Sequence, residues 1–316
     1  MNKERIVFMG TPEFAVASLA ALVNAGCTIV GVITAPDREA GRGMKPRPSA
    51  VKEYALTQGL HIMQPTNLKL EVFLDELRSL KATLQVVVAF RMLPKVVWKM
   101  PVHGTFNLHA SLLPQYRGAA PINWAIINGE QETGVTTFFL QHQIDTGNII
   151  LQEKLSIGEN EDAGSLHDRL MALGAQLVVE TVNRIANKTV VAVPQRTANE
   201  PLHDAPKIFK ETCTIDWNRP AHQVHNHIRG LSPYPAAQTV FFKNDKEYPV
   251  KVFRTAIVVS ESTTARIGSS QTDGKSFLLI RCSDSWISLL ELQLAGKKRM
   301  PISEFLKGFD ATEMQA

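Results

Sequence analysis

Two hydrophobic periods alternate along the first two thirds of this chain. Ile6-Val7-Phe8-Met9 is a continuous apolar run closed by Gly10, the pattern of a strand buried on both faces. Thr11 is expected to cap the following helix, with Pro12 in its first turn and Glu13 near its positive end. Phe14, Leu19, Leu22 and Val23 supply that helix's apolar stripe, and Gly26 closes it. The strand pattern returns over 28–33. Helical spacing follows over 52–58, a short strand over 61–63, an amphipathic helix over 71–80 and a nearly all-apolar strand over 84–90. Strands are expected over 105–110 and 135–140, an extended segment over 149–157, and a long helix over 164–185. Strands alternating with helices predict an α/β, Rossmann-like domain with a mostly parallel sheet covered on both faces. In such sheets ligands collect beyond the carboxyl ends of the strands.

The pattern changes after residue 193. Residues 194–206 are polar and non-periodic and read as a linker. A helix is expected over 221–229, then short strands over 238–242, 249–256, 277–281 and 286–292 with turn signals between them, which predicts a small β-barrel. The expected organisation is a larger domain over 1–193, a linker over 194–206 and a smaller domain over 207–316.

Composition adds exclusions. The 316 residues carry a formal net charge of +4, with 44% hydrophobic and 20% charged residues, which is ordinary globular usage. Cys27, Cys213 and Cys282 are odd in number and far apart, so neither disulfides nor a metal site is expected, in keeping with a cytoplasmic protein. No signal-like or membrane-spanning apolar run is found. The turn Gly10-Thr11-Pro12-Glu13 lacks a dinucleotide fingerprint, which argues against a nicotinamide cofactor. His222, His225 and His227 are read as part of a helix surface rather than as ligands. Lys297-Lys298-Arg299 is either a solvated face or a phosphate contact. From Lys210 onward fourteen Lys and Arg stand against eleven Asp and Glu, a weak basic bias. A sharper one lies in 36–50, where Arg38, Arg42, Lys45 and Arg47 are interspersed with glycines and prolines. It reads as a structureless loop suited to gripping phosphates.

Candidate chemistry concentrates around Asn107 and His109. Residues two apart in a strand share a face, so Thr105, Asn107 and His109 point one way and Phe106, Leu108 and Ala110 the other. An amide and an imidazole at the end of an apolar strand are costly to bury without partners. Transfer of an acyl-type group to an amine needs an oxyanion donor and a proton route. Asn107 can donate, His109 can shuttle a proton, and Asp145 in Asp145-Thr146-Gly147 can position or charge-stabilise the imidazole. Whether His109 serves as base to the amine or acid to the leaving nitrogen stays open at this level. Ser111 lacks the Gly-x-Ser-x-Gly surroundings of a hydrolase nucleophile.

These residues carry a resemblance. The Ile6–Ala15 run, Ala40-Gly41-Arg42-Gly43, the run from Asn107 to Ile122 and Asp145-Thr146-Gly147 resemble the methionyl-tRNA formyltransferase family over nearly the whole chain. The resemblance implies transfer of formyl from 10-formyltetrahydrofolate, as co-substrate, to the methionine amino group of initiator methionyl-tRNA for translation initiation. It also implies Asn107, His109 and Asp145 as the catalytic trio, Ser111, Leu112, Leu113 and Pro114 along the folate site, and an oligonucleotide-binding-type C-terminal barrel that binds tRNA. Contact of Arg38, Arg42, Lys45 and Arg47 with the tRNA acceptor end and a monomeric state are further implications. The chain departs from the family where Gln141 and Gln143 replace an acid and a glycine before Asp145, and where Phe90-Arg91 replaces a Tyr-Gly pair. The alternatives are a folate formyltransferase acting on a small amine and a hydrolase releasing formate from the same donor. Small-substrate forms generally lack both the basic insertion and the C-terminal barrel, which favours the tRNA enzyme over the first; formate release without acceptor would mark the second.

Overall fold

The computed structural model describes residues 4–40, 45–196, 201–259 and 264–316. The chain divides into two compact units. One holds Met1–Gly118, Thr133–Leu155 and His167–Asp204, the other Ala119–Glu132, Ser156–Leu166 and Ala205–Ala316.

The first unit opens with β1 (Arg5–Gly10), α1 (Glu13–Asn24) and β2 (Thr28–Ile33). A hairpin of β3 (Arg38–Ala40) and β4 (Lys45–Arg47) precedes α2 (Ala50–Thr57). Then come β5 (Ile62–Met63), α3 (Glu71–Ser79), β6 (Leu84–Val88), α4 (Lys95–Trp98), β7 (Thr105–His109) and β8 (Arg117–Gly118). After α5 (Pro121–Ile127), which belongs to the second unit, β9 (Glu132–Phe139), β10 (Ile149–Ser156), α6 (Ala163–Ala186) and β11 (Asp204–Ala205) follow.

Seven strands form one sheet in the order β10-β9-β7-β6-β1-β2-β5. The pairs β1–β2, β1–β6, β2–β5 and β6–β7 are parallel, while β9 runs antiparallel to β7. One face is packed by Val7, Met9, Ile33 and Val87 against Phe73, Leu74 and Leu77 of α3 and Val97 of α4. On β7 the alternation is as expected. Phe106 and Leu108 are buried, and Leu108 lies so close to Gly174 of α6 that a β-carbon there would come within 2.7 Å of its Cδ2. Thr105, on the opposite face, reaches the Trp98 carbonyl at 2.8 Å.

Two local expectations are corrected. Thr11 does not cap α1: Pro12 occupies the cap position in an extended conformation (ψ 175°), and no side chain caps the helix. Glu13 in the first turn and Gly26 (φ 70°) after the last hold as expected. The described residues of 36–50 are not structureless either, since β3 pairs with β4, Arg38 opposite Arg47, and Ser49 accepts from the Lys52 N–H to cap α2. Arg42 lies outside the described residues, as does the side chain of Lys45.

The second unit contains α7 (Ala221–Leu231), β12 (Ala237–Lys243), β13 (Lys246–Val258), β14 (Ser270–Thr272), β15 (Leu278–Arg281), β16 (Trp286–Leu294), β17 (Met300–Pro301) and α8 (Ile302–Gly308). The sheet order β12-β13-β16-β15-β14 is antiparallel, with β17 added on β16. Its register shifts around Arg254, an irregularity of the kind that bends a sheet. Gln315 bridges both to Phe242 of β12 and to Ser269 beside β14, so the segment ending the chain joins the two sheet edges. The core comprises Ile228 and Leu231 of α7, Phe241, Val252, Ile287 and Leu289 of the sheet, and Phe305 of α8. Arg299 forks onto both Glu291 oxygens at 2.7 and 2.6 Å and lies over Phe253, which makes it a strut of the barrel. His225 is buried on Thr255, 2.9 Å away, and its position inside the helix packing corrects the expectation of a surface residue. Among the described residues no helix is long and apolar enough to cross a membrane.

Candidate active site

The carboxyl end of β7 is where the open α/β sheet rule puts a ligand. Asn107 pairs with Val87 of β6 and Phe138 of β9, and His109 pairs with Thr136 of β9. Asn107 is half-buried, and its carboxamide is in no hydrogen bond with another described residue. His109 is only 7% exposed.

The histidine's partners fix its tautomer. Nε2 lies 2.8 Å from the Tyr116 carbonyl, an acceptor only, so Nε2 carries a hydrogen and donates it. Nδ1 is then the basic nitrogen of the neutral ring, and it faces Asp145 Oδ2 at 3.9 Å. That gap is too long for a hydrogen bond but short enough for charge. A proton taken up at Nδ1 would therefore face an opposite charge.

Asp145 is brought in by the turn joining β9 to β10. The residue sits in the left-handed region (φ 53°), which aspartate tolerates better than most side chains. Its Oδ2 accepts from the Gly118 N–H at 3.0 Å. Gly147 is required: a β-carbon there would sit 1.6 Å from the Phe139 carbonyl oxygen. Gly147→Ala is therefore expected to displace the turn and lower kcat at least tenfold, with a fall in Tm. Steady-state kinetics and a thermal melt on the same preparation check it. Gln141 and Gln143, the departures from the family pattern, are exposed, and the Gln143 carbonyl accepts from Thr146 Oγ1 at 3.1 Å.

Ser111, Leu112, Leu113 and Pro114 follow the strand directly. The Ser111 hydroxyl donates to the Gln115 carbonyl at 2.6 Å, so it is spent inside the loop. The Ser111 carbonyl accepts from Thr136 Oγ1, and the Leu113 carbonyl from Gln152 Nε2. The loop is thus tied to β9 and β10 along its length. Leu112 and Pro114 are half-buried, Leu113 buried.

The expected linker supplies residues that sequence reasoning missed. Gln195 contacts Asp145, Gly147 and Arg117, and His203 holds Tyr116 through its carbonyl at 2.7 Å from the Tyr116 nitrogen. The only sequence signal for either was a polar side chain in a stretch with no period of its own.

Arg38 and Arg47 are exposed and directly opposite each other in the hairpin. Like charges in that position repel. Arg91, beyond the end of β6, donates to the carbonyls of Pro65 and Thr66. Burial and then the positive charge of Arg38 hold its guanidinium below the ordinary arginine pKa.

Comparison with known proteins adds the family. The formyl transferase profile matches residues 4–182 and the formyl transferase C-terminal domain profile residues 207–310. The methionyl-tRNA formyltransferase of Parabacteroides distasonis is 56% identical over 98% of this chain and 97% of its own. That of Bacteroides fragilis is 54% identical over 99% and 98% respectively. Among solved structures, the Helicobacter canadensis N-formyltransferase in complex with folinic acid and dTDP-3-aminofucose superimposes with a TM-score of 0.67. It is 20% identical and covers 94% of this chain and 100% of its own, a likeness of fold.

Proposed function

The chain belongs to the methionyl-tRNA formyltransferase family, and from that premise we propose how its residues carry out the transfer. It formylates the methionine amino group of initiator methionyl-tRNA with a folate-derived donor, 10-formyltetrahydrofolate. The observation that carries this reading is the pairing of His109 with Asp145 at 3.9 Å beside Asn107 on one strand face.

The amine nitrogen attacks the formyl carbon, and the carbonyl oxygen takes up negative charge. Asn107, with an uncommitted carboxamide, donates a hydrogen bond to that oxygen. The amine proton passes to Nδ1 of His109, whose other nitrogen is already committed to the Tyr116 carbonyl. The imidazolium then lies between that carbonyl and the Asp145 carboxylate. It returns the proton to the folate nitrogen as the carbon–nitrogen bond to the donor breaks, leaving N-formylmethionyl-tRNA and tetrahydrofolate. His109 is thus base first and acid second. Leu112, Leu113 and Pro114 wall the donor's ring, and Ser111 keeps their loop in shape.

Arg38 and Arg47, with Arg42 and Lys45 of the same segment, take the acceptor-end phosphates of the tRNA. The opposed arginines support this, because an anion between them offsets the repulsion that the free hairpin carries. The C-terminal barrel over 207–316 gives a second tRNA surface. The protein acts as a cytoplasmic monomer.

Purified protein, labelled formyl donor and charged initiator tRNA test the function against amino-sugar nucleotides and water. Formylation of the tRNA that weakens steeply with salt is expected. Formate release without acceptor, or preference for the small amine, overturns it. Replacing Arg38 and Arg47 together by Ala is expected to raise KM for the tRNA, leave KM for the folate unchanged and flatten the salt dependence by about one unit of slope per arginine. An unchanged slope excludes both from phosphate contact.

A further inference from the structure

We propose that Gln195, near the start of the segment read as a linker, is the positioning residue of Asp145 and braces the active site from outside. The inference rests on the reading that Asp145 acts on His109. One Gln195 carboxamide closes a ring of hydrogen bonds around the aspartate. Its Nε2 donates to the Asp145 carbonyl at 2.8 Å and to the Gly147 carbonyl at 2.9 Å. Its Oε1 accepts from Arg117 Nη2 at 2.6 Å and Nε at 3.2 Å. The residue after Arg117 is Gly118, whose N–H donates to the Asp145 carboxylate at 3.0 Å.

Both ends of Asp145 are therefore referred to the same glutamine, the backbone directly and the carboxylate through Arg117 and Gly118. Both hydrogens and the oxygen of the carboxamide are used, so no side chain of another type replaces it. Gln195 is itself anchored: two residues earlier, Val193 exchanges hydrogen bonds with Ile149 at 2.8 and 2.9 Å. The exposed residues 141–144 before Asp145 offer no comparable hold. A left-handed aspartate at the end of an exposed loop needs a fixed frame if its carboxylate is to stay 3.9 Å from an imidazole. The frame is supplied from 149 and 193–195.

Gln195→Glu tests this with almost no change of volume. Glutamate still accepts from Arg117 but turns an acceptor toward the two carbonyls that Gln195 holds by donation. The expected result is a kcat about 10²-fold lower, the penalty of misplacing a catalytic group by about 1 Å, with KM for folate and for methionyl-tRNA within about twofold. The same change made in an Asp145→Asn background is expected to cost less than about threefold more, because the two residues act as one unit. Equal losses in both backgrounds, or a wild-type kcat for Gln195→Glu, overturn the proposal. Gln195→Met, which carries no charge and similar bulk, gives the same readouts if the glutamate variant does not fold. Asp145→Asn with wild-type kcat is a different failure, since it removes the role of Asp145 itself.

Discussion

His109→Gln is expected to lower kcat for methionyl-tRNA formylation by about 10²–10⁴-fold, while KM for both substrates changes little. Glutamine is the informative replacement. Its amide nitrogen reaches roughly as far as Nε2, so the bond to the Tyr116 carbonyl, 2.8 Å in the native ring, has a substitute donor. What glutamine lacks is the basic nitrogen facing Asp145. A neutral amide takes up no proton at the pH of the reaction, so the imidazolium proposed to face Asp145 never forms. His109→Ala removes both functions, frees the Tyr116 carbonyl and leaves a void where a residue only 7% exposed stood, so it is expected to lose Tm as well as kcat. Comparing the two separates proton transfer from support of the 111–118 loop. Near-native kcat for the glutamine variant means that His109 holds the loop and that the proton travels elsewhere.

The shared strand face of the candidate residues was legible in the sequence because it depends on strand alternation. Thr105, Asn107 and His109 share a face by period two, and the contact of Leu108 with Gly174 of α6, against that of Thr105 with the Trp98 carbonyl, separates the two faces as that period predicts. The same logic placed β2 at its observed bounds, since its apolar run is closed by polar or turn residues at both ends. The misses have physical causes. The β3–β4 hairpin is three residues a side and rich in charge, so nothing in its composition marks a strand. Thr11 looked like a cap by residue type, but Pro12 already holds the extended conformation at the helix start. Helix α5 is too short to show a period, and its entry signal, Pro121 in the first turn, follows two alanines that cap nothing. Joining of the barrel edges depends on Gln315, a contact between residues more than forty positions apart. Gln195 was hidden for a related reason. Its three partners lie 48 to 78 residues away, and a lone glutamine in a polar stretch has no period to betray it.

Asn107→Ala is expected to lower kcat by about 10²–10³-fold, the usual cost of removing one oxyanion donor, or roughly 3–4 kcal/mol of barrier. Its effect on stability should be small, and that contrast is the discriminating part. Asn107 pairs in register with Val87 and Phe138 through its backbone, which alanine preserves. Its carboxamide bonds to no other described residue, so truncation leaves no orphaned partner behind. A polar group held at the end of an apolar strand with its donors unspent is a cost that folding alone does not explain, and truncation to alanine relieves it. Tm is therefore expected to stay level or rise by a degree or two while turnover collapses. Asn107→Asp sharpens the test, because a carboxylate of the same shape accepts where the amide donated and repels the developing oxyanion; its kcat should fall below that of the alanine variant. If the aspartate variant turns over faster than the alanine variant, charge development at that oxygen is not what Asn107 answers to. A marked drop in Tm for Asn107→Ala would instead make the residue part of the fold.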